Sequence, residues 1–356
     1  FPTNPIVNYN SLTKIAGIVC RNLNKVIDVN LYPCPEAKIS STRGRPIGIG
    51  VQGLADVFYM FKTPFDSELA RSLNKKIFEA IQFGALSAST DLAKQEYIKI
   101  KKNDNNLTKF IDKRIGSYPA YLTNGGSPLS NGKFHWESYQ LEEKNLSGLF
   151  DWKTLRNHIK IYGVRNSLLT ALMPTASTSH LNGNVECFEP LTSNMYKRKV
   201  LSGEFIIINK YMSRDLNLMG LWNQDMINFL KLNGGSVQDI DGLPKEFKQL
   251  YRTVWEISQK SIMEMAVDRQ PFIDQAQSMN LYFKDFTFDK FSSAQLFAWQ
   301  NKLKTGSYYI RTQASVAPQK FTVNPDDAIS LKDFKVNILD NLEVQNDDEI
   351  CLLCSS

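Results

Sequence analysis

Apolar residues recur at helical spacing along most of the chain. In residues 66–96, for example, Leu69, Leu73 and Ile77 fall on one helical face, and Asp66 is placed to cap the N-terminus. The same spacing predicts helices at residues 9–28, 54–61, 66–96, 152–162, 209–219, 224–232, 248–268 and 294–304. The pattern therefore predicts a chain rich in helices.

Short apolar runs between these helices have the length of buried strands. They lie at residues 46–51, 167–173 and 307–312. Buried strands that alternate with helices predict an α/β fold with a parallel or mixed sheet. Residues 98–133 are rich in Lys, Asn and Gly and lose the periodicity, so a surface loop or insertion is predicted there.

Composition restricts the class of protein. With 42% hydrophobic and 22% charged residues, the 356-residue chain has ordinary globular composition and the length of one large or two smaller domains. No run approaches the roughly 20 apolar residues of a membrane helix, and the first residues do not resemble a secretory signal. Because the sequence starts with Phe1, we expect a fragment, a processed product or part of a split gene.

The charge is unevenly distributed. Residues 324–356 contain eight acidic residues and two lysines, a charge of −6. Because the whole chain carries +6, residues 1–323 carry +12. A basic body favours an anionic ligand, whereas an acidic terminus without periodicity is typical of a disordered arm. No nucleic-acid-binding motif accompanies the basic charge, so we predict no nucleic-acid partner.

Five cysteines occur, at positions 20, 34, 187, 351 and 354. An odd count without a signal sequence predicts a reducing compartment, here the cytoplasm, rather than a disulfide scaffold. Only Cys351 and Cys354 form a CxxC pair, and no second pair completes a zinc site, so no metal site is predicted. The pair instead suits a dithiol that exchanges with other thiols.

A cluster of hydroxyls follows the predicted strand 167–173. Thr175, Ser177 and Thr178, with Ala176 between them, come directly after Pro174, which stops the strand. Their hydroxyl and N–H groups can converge on a phosphate if a helical turn begins there. A Ser/Thr-rich turn that merely caps a helix is the commoner alternative.

Two tyrosines are adjacent in the predicted strand 307–312. Successive side chains of a strand point to opposite faces, so one of Tyr308 and Tyr309 would pack in the core and the other would lie on the surface. The functional alternative is a redox-active pair of phenols.

Three further patterns favour structural roles. Cys34 and Cys187 each precede a carboxylate by two residues, yet both fall in predicted loops, where a buried or half-buried thiol is the expected role. Residues 48–53 read G-x-G-x-x-G, but no acidic residue follows at the spacing of a dinucleotide-binding unit. Close backbone packing is therefore predicted for these glycines.

Several segments together resemble one family. Residues 45–56 read Arg-Pro-Ile-Gly-Ile-Gly-Val-Gln-Gly-Leu-Ala-Asp, and residues 173–179 read Met-Pro-Thr-Ala-Ser-Thr-Ser. With residues 21–28, 165–169, 201–205, 253–260 and 303–312 and the terminal CxxC, they resemble the large (α) subunit of class I ribonucleotide reductase. The resemblance runs nearly end to end and is closest to the eukaryotic and large-DNA-virus type.

The resemblance implies a fold and an activity. Residues 1–323 would form the C-terminal half of a ten-stranded α/β barrel with surrounding helices, and residues 324–356 a disordered redox tail. The family reduces ribonucleoside diphosphates by radical chemistry. Thr175, Ala176, Ser177 and Thr178 would bind the substrate diphosphate, Tyr308 and Tyr309 would relay the radical, and Cys351 and Cys354 would re-reduce the active-site disulfide.

The resemblance also implies partners. No cofactor is expected on this chain itself, since a dimetal small subunit supplies the radical and ATP and dNTP effectors bind the N-terminal half of the large subunit. Thioredoxin or glutaredoxin would recharge the tail, and the complete subunit would form a homodimer. No membrane association is expected.

The family's finger-loop motif, Asn-x-Cys-x-Glu, does not occur in the 356 residues. The thiyl-radical cysteine, the disulfide cysteines and the N-terminal half are expected upstream of Phe1, so we predict that this chain alone is inactive. The alternative is a non-catalytic paralogue that binds nucleotide or the small subunit.

Overall fold

A computed structural model describes residues 5–103, 112–123, 127–201, 203–313 and 335–336. The helices are α1 Tyr9–Val29, α2 Pro35–Gly44, α3 Leu54–Met60, α4 Glu68–Asn103, α5 Trp152–Tyr162, α6 Ala176–Leu181, α7 Lys210–Leu218, α8 Gln224–Leu232, α9 Lys245–Leu250, α10 Gln259–Arg269 and α11 Phe288–Gln300. The strands are β1 Met195–Val200, β2 Gly203–Ile208, β3 Leu281–Phe283 and β4 Ile310–Thr312.

Four extended segments lie side by side and run parallel. Ile49 bridges to Thr170, Leu172 bridges to Gln277, and β3 pairs with β4. Since Gln277 and β3 belong to one continuous segment, the order across the layer is 47–50, 168–172, 275–283 and 308–312, which is also the order along the chain. Neighbouring parallel strands must be joined by a crossover connection, and in this chain the connections contain helices.

The predicted α/β architecture is therefore present in its parallel, helix-connected form. In the part of the chain that the structure describes, these segments form an open layer and no closed ring of strands is seen. A search of the same residues finds no helix with both the length and the apolar character needed to cross a bilayer.

Helices α1 and α4 cover this layer and contribute to a first apolar core. The two helices come close at Gly84, where an added Cβ would lie 2.3 Å from the carbonyl oxygen of Thr13. Small residues such as Ala80 and Ala88 are buried along the same helix. The 36-residue α4 can therefore pack against neighbours on several sides.

A second apolar core lies among helices α7, α8 and α9. Met212, Leu216, Leu230 and Val237 are nearly or fully inaccessible to solvent there. The antiparallel hairpin β1–β2, which the periodicity does not predict, joins this cluster through Met195. In β2 the apolar residues 205–208 are consecutive, and Phe205 and Ile206 are exposed, so the strand shows no apolar alternation.

The predicted helix 248–268 is wrong as a single element. The chain forms α9 and α10 with an irregular segment at residues 251–258. The N–H of Thr253 donates to the Glu256 carboxylate at 2.7 Å, and the N–H of Val254 donates to the carbonyl of Leu191 at 2.8 Å. Because these backbone groups have partners outside a helix, the apolar spacing across the segment does not produce one.

Smaller differences concern the predicted helix ends. Ser67, not Asp66, caps α4, since its hydroxyl accepts the N–H of Ala70 at 3.2 Å, while Asp66 forms an ion pair with Arg252. The predicted helix 294–304 instead begins at Phe288 and ends at Gln300. In the 98–133 region, α4 continues to Asn103, and the described part beyond it contains turns and short 3-10 helices with Tyr118 and Tyr121 buried.

Candidate functional site

The pairing of the parallel segments brings two of the predicted sites to one level of the layer. Leu172 is level with Gln277, and the N–H of Tyr308 donates to the carbonyl of Met279 at 2.6 Å. Residues 173–175, which follow the second segment, and Tyr308, at the amino end of the fourth, thus lie at about the same level along the layer. They are separated by one intervening strand, hence by roughly 10 Å laterally. Ligands of open parallel sheets bind at the carboxyl ends of strands, which is where residues 173–175 lie.

The hydroxyl cluster forms the start of α6. Thr175 occupies the N-cap position, but its hydroxyl makes no capping bond and instead accepts the N–H of Cys187 at 2.8 Å. Ala176, Ser177 and Thr178 are exposed. The first N–H groups of a helix have no partner within it, so these donors remain available to an anion. The Thr175 side chain therefore does not cap α6.

The segment that returns from α6 is held by the glycine-rich run. The N–H of Val185 donates to the Asp56 carboxylate at 2.7 Å, and the N–H of Gly53 donates to the carbonyl of Val185 at 2.9 Å. Burial raises the pKa of Asp56. Thr178 adds a hydroxyl bond to the Gln52 side chain at 3.2 Å. The run 48–53 thus positions the hydroxyl loop.

The glycines of that run allow close approach of backbones. A Cβ on Gly50 would lie 2.9 Å from the carbonyl oxygen of Ala171, and Gly53 has φ of +79°. The predicted close packing is confirmed, because the space next to Gly50 is filled by protein.

A buried carboxylate connects the return segment to the parallel layer. Glu189 accepts the backbone N–H of Asn280 at 2.7 Å, its side-chain amide at 3.0 Å and the hydroxyl of Tyr282 at 2.7 Å. Burial, followed by the charge of Glu189, raises the pKa of Tyr282. The guanidinium of Arg269, itself buried, lies 4.3 Å from the Phe188 ring and supplies the nearby positive charge.

Tyr308 and Tyr309 lie side by side on the surface. Their ring centroids are 4.3 Å apart at an interplanar angle of 61°, and the two side chains are 49% and 53% exposed. The hydrogen bond between the two phenols raises the pKa of Tyr308. The expected division into one core and one surface tyrosine is wrong, and a pair of phenols in direct contact is present.

The five cysteines divide into three groups. Cys20 and Cys187 are buried, and burial raises the pKa of each thiol to about 12, with the charge of Glu189 adding to the effect at Cys187, so both are unreactive structural thiols. Cys34 is exposed at the N-cap position of α2, contrary to the expected buried or half-buried thiol. Cys351 and Cys354 lie outside the described residues.

A cavity of about 420 Å³ opens beside the segment that returns from α6, between the hairpin and the start of α7. Arg198 and Lys210 contribute cationic groups to its wall, His180 contributes an imidazole, and Glu186 and Glu189 contribute carboxylates. In the described residues, no cluster of three or more His, Cys, Asp or Glu side chains suitable for a metal ion occurs.

The hydrogen bonds that join Glu189 to Asn280 and Tyr282 could not be predicted from the sequence. Glu189 and Tyr282 are 93 positions apart. Neither residue lies in a local motif of its own, and only the packing of the return segment against β3 brings them together.

Comparisons with known proteins identify the family of this chain. Residues 2–309 match the family model described as ribonucleotide reductase, barrel domain. The chain is 48% identical over 322 residues to a ribonucleoside-diphosphate reductase large subunit of Acanthamoeba polyphaga mimivirus, covering 90% of this chain. It is 47% identical to the large chain of Schizosaccharomyces pombe, covering 89%, and 45% identical to the large subunit of Variola virus, covering 97%.

A solved structure shows the same fold. The α subunit of a class Id ribonucleotide reductase from Actinobacillus ureae superposes with a TM-score of 0.62 at 25% sequence identity, covering 85% of this chain and 46% of that one. The parallel layer is thus that of a ribonucleotide reductase barrel domain.

The chain belongs to the ribonucleotide reductase family, and its relatives at high identity include the eukaryotic and large-DNA-virus types that the sequence motifs indicate. It spans only part of them, namely 34% of the mimivirus protein, 36% of the fission yeast protein and 40% of the Variola protein.

Proposed function

We propose that this chain is the C-terminal part of the large subunit of a ribonucleoside-diphosphate reductase, an oxidoreductase that makes deoxyribonucleoside diphosphates for DNA synthesis. The observation that supports the proposal is that the hydroxyl loop 175–178 and the tyrosine pair lie at about the same level of the parallel layer, one strand apart. A substrate whose diphosphate binds at the loop would hold its ribose close to the radical that arrives through Tyr308 and Tyr309.

The loop would bind the substrate. Ser177 and Thr178 offer exposed hydroxyls, and Ala176 and its neighbours offer N–H groups at the start of α6. The +12 charge of residues 1–323 favours the approach of a diphosphate. The bond from Cys187 to the Thr175 hydroxyl would hold the loop in place before substrate arrives.

The tyrosine pair would carry the radical. A phenol can lose an electron and a proton together, and the ring centroids of Tyr308 and Tyr309 are 4.3 Å apart, so a hydrogen-atom equivalent could pass between them. The partner would be a small subunit whose dimetal centre generates the radical.

The terminal dithiol would restore the active site after each turnover. The thiolate of Cys351 or Cys354 would attack the active-site disulfide and form a mixed disulfide, which the second thiol resolves; two electrons and two protons pass to the active site. A thioredoxin or glutaredoxin would then reduce the tail. We place the complete enzyme in the cytoplasm, as a homodimer whose N-terminal half binds ATP and dNTP effectors.

The test is the Tyr309→Phe variant in the enzyme assembled with the upstream half and the small subunit. Phenylalanine keeps the ring but has no phenolic proton, so turnover of CDP to dCDP should fall roughly a hundredfold or more, with an unchanged Kd for CDP. Both quantities are measured on the same preparation, by product formation and by equilibrium binding.

Tyr97→Phe is the matched control, because Tyr97 also faces another ring, that of Tyr162 at 6.2 Å, but lies on α4. It should leave turnover unchanged. Normal turnover in Tyr309→Phe would refute the relay, whereas no turnover in the assembled wild-type enzyme would favour the non-catalytic paralogue.

A further inference from the structure

The second apolar core carries a short segment from far along the chain. Lys335 and Val336 pair in parallel with Asp241, and the N–H of Val336 donates to the carbonyl of Asp241 at 2.9 Å. The Val336 side chain packs against the same cluster that contains Ile240 and Leu243. The contact thus combines a backbone hydrogen bond with apolar burial.

The turn that receives this segment is shaped for it. Gly242 has φ of +89°, and a Cβ there would lie 1.9 Å from the carbonyl oxygen of Val336. Only glycine allows the two backbones to come this close without displacement. The ion pair between Lys335 and Asp241, at 3.8 Å with both side chains mostly exposed, adds little.

We propose that the turn at residues 241–243 is a docking site for residues 335–336 of the same chain, and that it anchors the C-terminal arm. The anchor divides the arm into two parts. Along the sequence, 21 residues separate Gln313 from Lys335, and the 14 residues 337–350 separate the anchor from the terminal dithiol and would act as its tether.

The anchor changes the reach of the dithiol. From Val336 a fully extended chain reaches Cys351 within roughly 50 Å, whereas from Gln313 the limit would be roughly 130 Å. A shorter tether raises the effective concentration of the dithiol near a target that it can reach. This concentration falls with about the −3/2 power of the tether length. The tail would therefore pivot about the turn at 241–243.

The anchor is tested by hydrogen exchange in the full chain. The Val336 amide should exchange slower than an unstructured amide, and Gly242→Ala should accelerate it at least about tenfold, because the methyl group displaces the docked backbone. Val336→Ala should accelerate exchange at position 336 while leaving the turn itself unchanged.

Gly148→Ala is the matched control. Gly148 also has positive φ, +72°, but a Cβ there meets nothing within 4 Å. Its substitution should leave exchange at Val336 unchanged. Unprotected exchange of Val336 in the wild-type chain, or equal exchange in Gly242→Ala and Gly148→Ala, would overturn the anchor.

The consequence for the tether rests on the proposed function and has its own readout. In the assembled enzyme, Gly242→Ala should lower turnover about fourfold with a dithiol protein as reductant, because the tether lengthens from 14 to 37 residues. Turnover with dithiothreitol, which can reach the active site directly, should not change. If Gly242→Ala loses the protection of the Val336 amide but keeps its turnover, the role of the tether is refuted. If the assembled wild-type enzyme also shows no turnover, the proposed function is contradicted and the anchor is not.

Discussion

At the scale of single residues, position relative to a strand end decides what a side chain can do. Tyr308 and Tyr309 were expected to alternate, but β4 begins only at Ile310, so the pair precedes the pleated segment. Both rings can then lie on the same side and touch. Thr175 is comparable, since its hydroxyl serves Cys187 instead of its own helix.

Gly50 gives a prediction at this scale. Gly50→Ala places a methyl group 2.9 Å from the Ala171 carbonyl, so the backbone must shift, and unfolding free energy should fall by about 1–3 kcal/mol. Denaturant unfolding followed by circular dichroism measures it. In Gly44→Ala the nearest atom is the movable Ser167 hydroxyl at 3.3 Å, so a change within about 0.5 kcal/mol is expected. Equal effects would contradict the packing role.

At the scale of elements, a few buried polar side chains fix how helices meet the parallel layer. The guanidinium of Arg45, which follows α2 in the left-handed conformation, donates to Asn24 and Asp28 of α1. The Arg45 carbonyl in turn accepts the Asn166 side-chain amide at 2.9 Å. One residue thus links two helices to the first and second parallel segments.

This link predicts a pH dependence. The hydrogen bond from Arg45 holds the pKa of Asp28 below its usual range. A lowered pKa in the folded state means that the stabilisation is present above about pH 4 and is lost as the pH falls through the lowered pKa. The Asp28 side chain is 55% exposed, so the gain is under about 1 kcal/mol.

The measurement compares the wild type with Asp28→Asn by urea unfolding between pH 2 and pH 7, a range set by the usual carboxyl pKa of about 4. The wild type should be more stable at the upper end, and the difference should shrink towards the lower end. Glu68→Gln, at a 92% exposed carboxylate, should show no such trend. A difference that is independent of pH would contradict the pairing.

The whole molecule combines a basic body with an acidic terminus, and the structure adds a contact between them. Residues 335–336 belong to the acidic terminus, where disorder was predicted, yet these two dock on the second core. The prediction of disorder for the other residues of 324–356 concerns positions outside the described residues.

At this scale we predict that the chain by itself does not reduce nucleotides. None of its residues lies in an Asn-x-Cys-x-Glu motif, so no thiyl radical can form at the position that the family requires. Mixed with a small subunit and dithiothreitol, it should give no dCDP from CDP above the level of the Tyr309→Phe variant, as measured by chromatography. Formation of dCDP by the chain alone would show that another residue performs this step.

Local patterns determined much of the protein. The spacing of apolar residues identified α1, α4 and α5, the glycine-rich run was correctly assigned to close packing, and contiguous motifs indicated the family and the candidate loop and tyrosine pair. These features depend on residues that are near one another in the chain. Helix periodicity, turn chemistry and short motifs are all local, so a sequence displays them directly.

Only the tertiary structure decided how these parts act together. It placed the hydroxyl loop and the tyrosine pair at about the same level of the parallel layer, joined Glu189 to Tyr282, broke the helix predicted at 248–268 and docked Val336 beside Gly242. Each of these depends on partners far apart in the chain, for backbone hydrogen bonds, buried charge or close approach. A buried polar group needs a hydrogen-bond partner, and the packing of distant segments determines which residue that is. The local spacing of residues therefore does not predict the partner.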